Sequence, residues 1–407
     1  MSPDRTSLDA MMRASRSAAM GRPIGRRGLL RGASLSALAL GVPGLLGACG
    51  TESQVQNADD CQGPDRSAEE KELVFSNWPE YIDQKGKAMP SLAQFEQATG
   101  ITVTYNTDVN DNNEFFAKVK DQLGSCEPVG RDIITLTDWM AARMVSLGWL
   151  QKLDKANLPN VEANLVESLR SPSWDPERDY SVPWQSGVTG IAYNAKYTGE
   201  VGSFEELMTR QDLKGKISLL SEMGDTMLFM LLLEGADPED FTEDEWQASL
   251  DRLEGYVGSG QIRRFTGNDY IRDLNAGNVV ACEAWSGDVI AMQYDNPDIK
   301  WVVPEEGLSL WSDNLLVPNL AEHKTNAEKL MDHYYQPEVA ATLAAWVNYI
   351  CPVDGAREAM EKIDPSLVDN ELIFPDEEFL ANAYGFKQLD VKTRQQYEKD
   401  FAQVIGA

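Results

Sequence analysis

Five short segments of this chain gather aromatic rings and carboxylates. Asn77-Trp78-Pro79-Glu80-Tyr81, Thr137-Asp138-Trp139, Glu222-Met223-Gly224-Asp225 and Glu283-Ala284-Trp285-Ser286-Gly287-Asp288 each follow an apolar, strand-like run, and Trp311-Ser312-Asp313-Asn314 precedes one. Any single pair is ordinarily core edge or helix cap. Five at comparable strand ends are harder to assign that way. The faces of indole and phenol rings attract cations by about 0.5–2 kcal/mol each. Carboxylates accept charge-assisted hydrogen bonds of about 1.5–3 kcal/mol from ammonium groups, whereas a buried ammonium without a partner costs several kcal/mol. Acids at the ends with aromatic walls between them suit a ligand whose positive charges are separated by methylenes, which describes a linear polyamine. Free lysine or arginine would bring a carboxylate as well, and these segments offer it no basic partner.

Other chemistries find little support. The chain has no Gly-x-Ser-x-Gly, no P-loop, no Gly-x-Gly-x-x-Gly and no His-Glu-x-x-His. Its only histidines, His323 and His333, read as exposed helix residues, so a Ser-His-Asp or Cys-His site is disfavoured. A hydrolytic pair of carboxylates stays open, because 65 acidic residues supply many candidates. Asp108-Val109-Asn110-Asp111-Asn112 resembles the start of a calcium loop but has Asn113 where glycine is needed and Val119 where glutamate is needed, so it reads as loop and helix cap. Cys61, Cys126, Cys282 and Cys351 allow three disulfide pairings and the sequence does not choose among them. No Cys/His cluster suggests a metal, and no cofactor is expected.

The elements that must position these residues alternate. Strands are expected near 73–76, 101–105, 132–136, 190–193, 217–220, 279–284, 300–303 and 315–317, from apolar runs and period-two alternation. Helices are expected at 89–99, 114–123, 138–147, 225–234, 288–294, 327–335 and 391–404. This order predicts an α/β architecture, in which ligands sit beyond the carboxyl ends of strands where loops meet helix starts.

The first 48 residues read as a removable export leader. Arg26-Arg27-Gly28-Leu29-Leu30-Arg31 is a twin-arginine stretch, followed by an apolar run over 33–46 and by Leu46-Gly47-Ala48-Cys49. The run is shorter than the ~20 apolar residues of a membrane span, and Pro43 interrupts it. The pattern resembles the twin-arginine signal of bacterial lipoproteins, with Cys49 as the lipidated residue, although Leu29 and Arg31 stand where that signal usually has Phe and Lys. A disordered basic tail is the other reading. Residues 49–71, polar and acidic, read as a flexible tether. About 359 residues remain after the leader, enough for two domains of ordinary size. The net charge of −29 becomes −34 once the leader, with seven Arg and two Asp, is removed. That balance argues against nucleic acid and against an electrostatic hold on anionic lipid, and it would draw small cations inward.

At the aromatic–acid segments the chain resembles the spermidine/putrescine-binding proteins, the extracellular receptors of polyamine ABC importers. The likeness runs from about Leu73 to the C-terminus. Its most specific parts are Asn77-Trp78-x-Glu80-Tyr81 and Trp311-Ser312-Asp313, with Val182-Pro183-Trp184-x-x-Gly187-x-Thr189-Gly190-Ile191 and Trp285-Ser286-Gly287 also similar. The resemblance implies an aromatic box of Trp78, Trp139, Trp285, Trp311 and Tyr349, with Tyr81 adding wall or a hydroxyl. It implies that Asp313 clamps one amine, that Glu222 and Asp225 hold the other, and that Glu80 and Thr137 add polar contacts. The chain departs from the family, which usually has Asp then Glu at the places of Glu222 and Asp225, Ser at Thr137 and Tyr at Trp139. Gln388 is a candidate for the glutamine such receptors often supply late in the chain, but it is not carried over.

The implied fold is a two-lobed, type II periplasmic-binding-protein-like α/β fold with the ligand cleft between the lobes. Lobe one would comprise about 72–185 and 313–355, and lobe two 186–312 and 356–407. The implied role is that of a monomeric, lipid-anchored receptor on the outer face of the cytoplasmic membrane, in the periplasm or cell-wall space. It would hand polyamines to an ABC permease and its ATPase, with no catalytic step. A receptor for another organic cation such as thiamine or a quaternary amine, a sensor, and an exported hydrolase with a carboxylate pair remain as alternatives.

Overall fold

The computed structural model describes residues 61–406. The expected signal peptide over 1–48, with its twin-arginine stretch, and Cys49 lie outside the described residues.

Ten strands form one sheet: β1 (Glu72–Asn77), β2 (Thr102–Thr107), β3 (Ile133–Thr137), β4 (Ser181–Asn194), β5 (Ile217–Leu220), β6 (Ile262–Thr266), β7 (Ala281–Trp285), β8 (Ile299–Val302), β9 (Leu308–Leu316) and β10 (Ala383–Tyr384). Their order is β2-β1-β3-β9-β4-β7-β5-β6, with β10 beside β9 and β8 beside β4. The outer pairs β1–β2, β1–β3, β5–β6 and β5–β7 are parallel. The joining pairs β3–β9, β9–β4 and β4–β7 are antiparallel. Two helix-covered parallel blocks therefore meet at the long central strands β4 and β9. β3 and β5 are buried nearly throughout, as strands of the parallel blocks.

β4 is longer than the 190–193 run expected from the sequence, since its first residues pair with β9: Val182 lies opposite Leu315 and Thr189 opposite Ser309. The register shifts between Pro183 and Ser186, where proline cannot donate to the ladder. Ser186 instead exchanges backbone hydrogen bonds with Ile350 at 3.0 and 2.7 Å. β9 likewise begins earlier than expected, so Trp311-Ser312-Asp313-Asn314 lies within the strand rather than before it. Trp311 and Asp313 face a cavity there, while Ser312 accepts from the Ser186 hydroxyl and Asn314 bonds to Arg178 and Asp138.

The apolar interior falls into two clusters. One contains Phe75, Leu136, Trp184, Leu315 and Val347, and also takes in Tyr270 and Val289. The other contains Phe204, Leu219, Phe229, Trp246 and Phe401. In the second, Phe204 stacks on Phe229 at 3.7 Å and Trp246 on Tyr397 at 4.0 Å between ring centres.

Two local expectations change. Residues 61–71 are held against the body rather than serving as free tether: Cys61 is disulfide-bonded to Cys126, the Arg66 N–H donates to the Glu322 carbonyl at 2.7 Å, and Ser67 accepts from the Asn326 N–H at 3.1 Å. Cys282 and Cys351 are buried thiols. Both histidines are buried, not exposed. His323 lies between Glu70 and Asp132, with ring nitrogens 3.0 and 3.1 Å from their carboxylates, and His333 Nε2 is 3.1 Å from the Ser91 carbonyl. The calcium-like segment is the expected cap, with Asp111 accepting from the Glu114 N–H at 2.9 Å ahead of the helix Asn112–Gly124.

Candidate binding cavity

The ends of β3 and β7, residues 309–313 of β9 and the start of the helix Met223–Leu233 open on one cavity of about 180 Å³. Four aromatic contacts run in sequence around it. Trp78 meets Trp285 at 6.0 Å, Trp285 meets Trp311 at 6.4 Å, Trp311 meets Tyr349 at 5.4 Å, and Tyr349 meets Tyr81 at 5.3 Å. All four pairs are edge-to-face, which turns the negative face of one ring toward the positive edge of the next. Two glycines make room for this belt. A Cβ on Gly187 would lie 2.4 Å from Trp311 Cζ2, and one on Gly287 would lie 2.5 Å from Tyr349 Cε2.

Five carboxyl groups line the cavity: Asp138, Glu222, Asp225, Asp288 and Asp313. No Lys, Arg or His lines it among the described residues. Asp313 Oδ1 accepts from the Thr137 hydroxyl at 2.7 Å. Thr137 is joined in turn to the Asn112 amide at 2.9 Å, and Asn112 to Glu222 Oε1 at 3.0 Å. The second oxygen of Glu222 is buried without a partner. Asp225 accepts from Ser309 at 2.7 Å, Thr189 at 2.8 Å and the Trp285 indole N–H at 3.2 Å. Asp288 accepts from Tyr270 at 2.7 Å, Asn268 at 3.0 Å and Tyr349 at 3.1 Å. Asp138 accepts from the Asn314 amide at 2.6 Å.

Removing these acids from water disfavours their charged forms. Burial pushes Asp313 up to about 7, against the opposing pull of its Thr137 hydrogen bond. Burial likewise takes Asp288 and Asp138 up to about 6, raises Asp225, and raises Glu222 well above the usual carboxylate range. A cavity with several acids and no internal cation holds protons more tightly than water does, and an entering cation would release them.

Ten of the eleven residues singled out from the sequence share this wall: Trp78, Tyr81, Thr137, Trp139, Glu222, Asp225, Trp285, Trp311, Asp313 and Tyr349. Glu80 does not. Its backbone is left-handed, with φ 55°, and the residue is exposed outside the wall, where its charge still reaches Asp288. Trp139 lies apart from the belt of rings, with the Arg394 guanidinium 5.0 Å from its ring centre. The sequence reading missed Asp288 and Asn112 as wall residues, because each begins a helix and passes for a cap. Gln388, named but not carried over, also lines the cavity.

Residues 91–372 match the bacterial extracellular solute-binding proteins. The chain belongs to that family. The spermidine/putrescine-binding periplasmic protein of Escherichia coli K12 is 27% identical over 339 residues, spanning 82% of this chain and 91% of that protein. The putrescine/agmatine-binding protein of Pseudomonas aeruginosa is 27% identical over 341 residues, spanning 78% and 87%. A solved structure from Listeria monocytogenes, assigned to a spermidine/putrescine ABC transporter, superposes with a TM-score of 0.71 at 26% identity, over 82% of this chain and 98% of that one. The fold of this solute-binding protein is the type II periplasmic-binding-protein-like fold. Members of the family bind solutes without transforming them, so the protein is not an enzyme. Among the described residues no helix is long and apolar enough to cross a membrane.

Proposed function

We propose that this solute-binding protein captures linear polyamines, putrescine or spermidine, outside the cell and delivers them to an ABC permease driven by its ATPase. The observation that carries the reading is a cavity walled by aromatic rings and five carboxyl groups with no basic side chain. Such a wall repels anions and zwitterions and compensates more than one ammonium, while the rings cover the methylenes between them. Several carboxyl groups in the wall, Glu222, Asp225 and Asp313 among them, favour a doubly charged ligand over a quaternary amine. The names of the relatives point the same way.

The ligand contacts are Trp78, Tyr81, Thr137, Trp139, Glu222, Asp225, Trp285, Trp311, Asp313 and Tyr349, to which Asp288 is added. Two lobes, 72–185 with 313–355 and 186–312 with 356–407, close on the ligand about β4 and β9. The second apolar cluster lies wholly within the second of these lobes, whereas the first spans both, taking in Ala192, Leu220, Tyr270, Cys282, Val289 and Met360 as well. The protein acts as a monomer anchored by lipid at Cys49 to the outer face of the cytoplasmic membrane.

Calorimetry of the purified protein with putrescine, spermidine and spermine tests the ligand. Heat of binding and a raised melting temperature are expected with at least one of them, and neither effect with any would refute the assignment. Labelling with a radioactive fatty acid, lost in Cys49→Ser, tests the anchor.

A further inference from the structure

Beyond Trp139 the cavity adjoins a smaller one that shares Trp139 and Gln388 and whose lining includes Arg143 and Arg394. Arg394, on the helix Val391–Ile405, is only 5% exposed and makes no ion pair among the described residues. Its guanidinium lies over Trp139, 5.0 Å from the ring centre. Arg143 pairs with Glu398 at 3.2 Å. Arg143 and Arg394 both lie near Glu398, with Asp111 and Glu222 as the next nearest acids, and only Arg143 pairs with a carboxylate. Burial lowers Arg394 to about 10, so it stays charged at neutral pH, and Glu398 and Glu222 are the acids that most oppose that lowering.

We propose that Arg394, with Arg143, closes the Trp139 end of the cavity to a further positive charge and so sets a preference for diamines over triamines. The inference rests on the polyamine reading of the cavity. An indole with a guanidinium on one face gains little from an ammonium on the other, because the two cations repel through a thin, weakly screening ring. Trp139 therefore covers methylenes rather than an amine, unlike Trp78, Trp285 and Trp311, which face no basic side chain in the cavity wall. The diamine already meets carboxylates at both ends. A third ammonium extending past Glu222 would run toward Arg394. Repulsion between like charges roughly 10 Å apart in a partly buried setting disfavours the triamine by about tenfold.

The test is calorimetric titration of putrescine and spermidine into the unaltered protein and three variants at pH 8. The unaltered protein is expected to favour putrescine. Arg394→Gln should raise the ratio of spermidine to putrescine affinity about tenfold, and Arg394→Lys, which keeps the charge, should leave it near the starting value. Glu398→Gln, which adds net positive charge at the same place, should move the ratio the opposite way and decides the matter alone if Arg394→Gln does not fold. A ratio unchanged in Arg394→Gln or in Glu398→Gln, or shifted in the same direction by both, would overturn the inference while leaving the polyamine reading in place. Absence of binding by every amine to the unaltered protein would overturn that reading and this inference together.

Discussion

Glu222 and Asn112, which are 110 residues apart in the chain, are joined twice. One carboxylate oxygen of Glu222 accepts both the backbone N–H and the side-chain amide of Asn112, each at 3.0 Å. Glu222 precedes the helix Met223–Leu233 and Asn112 opens the helix Asn112–Gly124, so two helix starts meet across the cavity. From Asn112 the hydrogen bonds continue through Thr137 to Asp313. The two acids proposed to hold opposite amines are therefore linked through one asparagine.

Asn112→Ala removes that link without touching either acid. Glu222 loses the side-chain amide and keeps the backbone N–H, and one lost bond to a charged group is worth about 1.5–3 kcal/mol. Polyamine affinity should fall at least tenfold in calorimetry while the far-ultraviolet circular dichroism stays the same. An unchanged affinity would show that Asn112 does not steady the bound form.

Asp313→Asn keeps the shape of the side chain and its neighbour Thr137 but removes the charge. Loss of one buried charge-assisted contact should weaken putrescine by about ten- to a hundredfold, with little effect on the melting temperature of the ligand-free protein. Equal affinity in the variant would exclude Asp313 as an amine contact.

The raised carboxyl groups fix the sign of a pH effect. Asp313 at about 7, and Asp288 and Asp138 at about 6, bind protons more tightly folded than unfolded. Their contribution to stability is fully present below about pH 4, the ordinary carboxylate value, and is lost as the pH rises through 6 to 7. The ligand-free melting temperature should therefore drop between pH 5 and pH 8. An organic cation needs the ionised forms, so its affinity and the melting shift it produces should both grow over the same interval. Ligand shifts that shrink with rising pH would contradict the assignment of these acids.

Gly187→Ala probes the packing of the belt. The added Cβ would fall 2.4 Å from Trp311 Cζ2 and 2.8 Å from Tyr349 Cδ1, so at least one ring must move. Such overpacking costs about 1–3 kcal/mol. A lower melting temperature and weaker polyamine binding are expected together, and a variant that binds like the parent would mean that the rings yield freely.

The Cys61–Cys126 bond closes a separation of 65 residues. Chain-entropy arguments assign such a loop about 4 kcal/mol. Reduction, or the double replacement by serine, should lower the midpoint of chemical unfolding by a corresponding amount, measured with and without reductant. No change would show that residues 61–71 are held by their other contacts alone.

Much of the wall was legible in advance because it is written in local pattern. Trp78 and Trp285 sit beside apolar runs whose length and alternation mark strands, and chemistry at strand ends is a short-range property of a chain. Glu80 shows the limit of that logic. It is two residues from Trp78, but a single left-handed backbone position turns it away. Asp288 and Asn112 carry no local mark that separates a ligand contact from a helix cap, since the same side chain serves either role. Which of three disulfide pairings forms, and that His323 and His333 are buried, depended on surfaces far apart in sequence. Periodicity determined the α/β class of fold, because each residue expresses it independently of its partners. The joining of Glu222 to Asn112, the exclusion of basic side chains from the wall and the stacking of Arg394 on Trp139 were decided only when β4 and β9 brought the two parallel blocks together, since such contacts exist only between segments that folding makes neighbours.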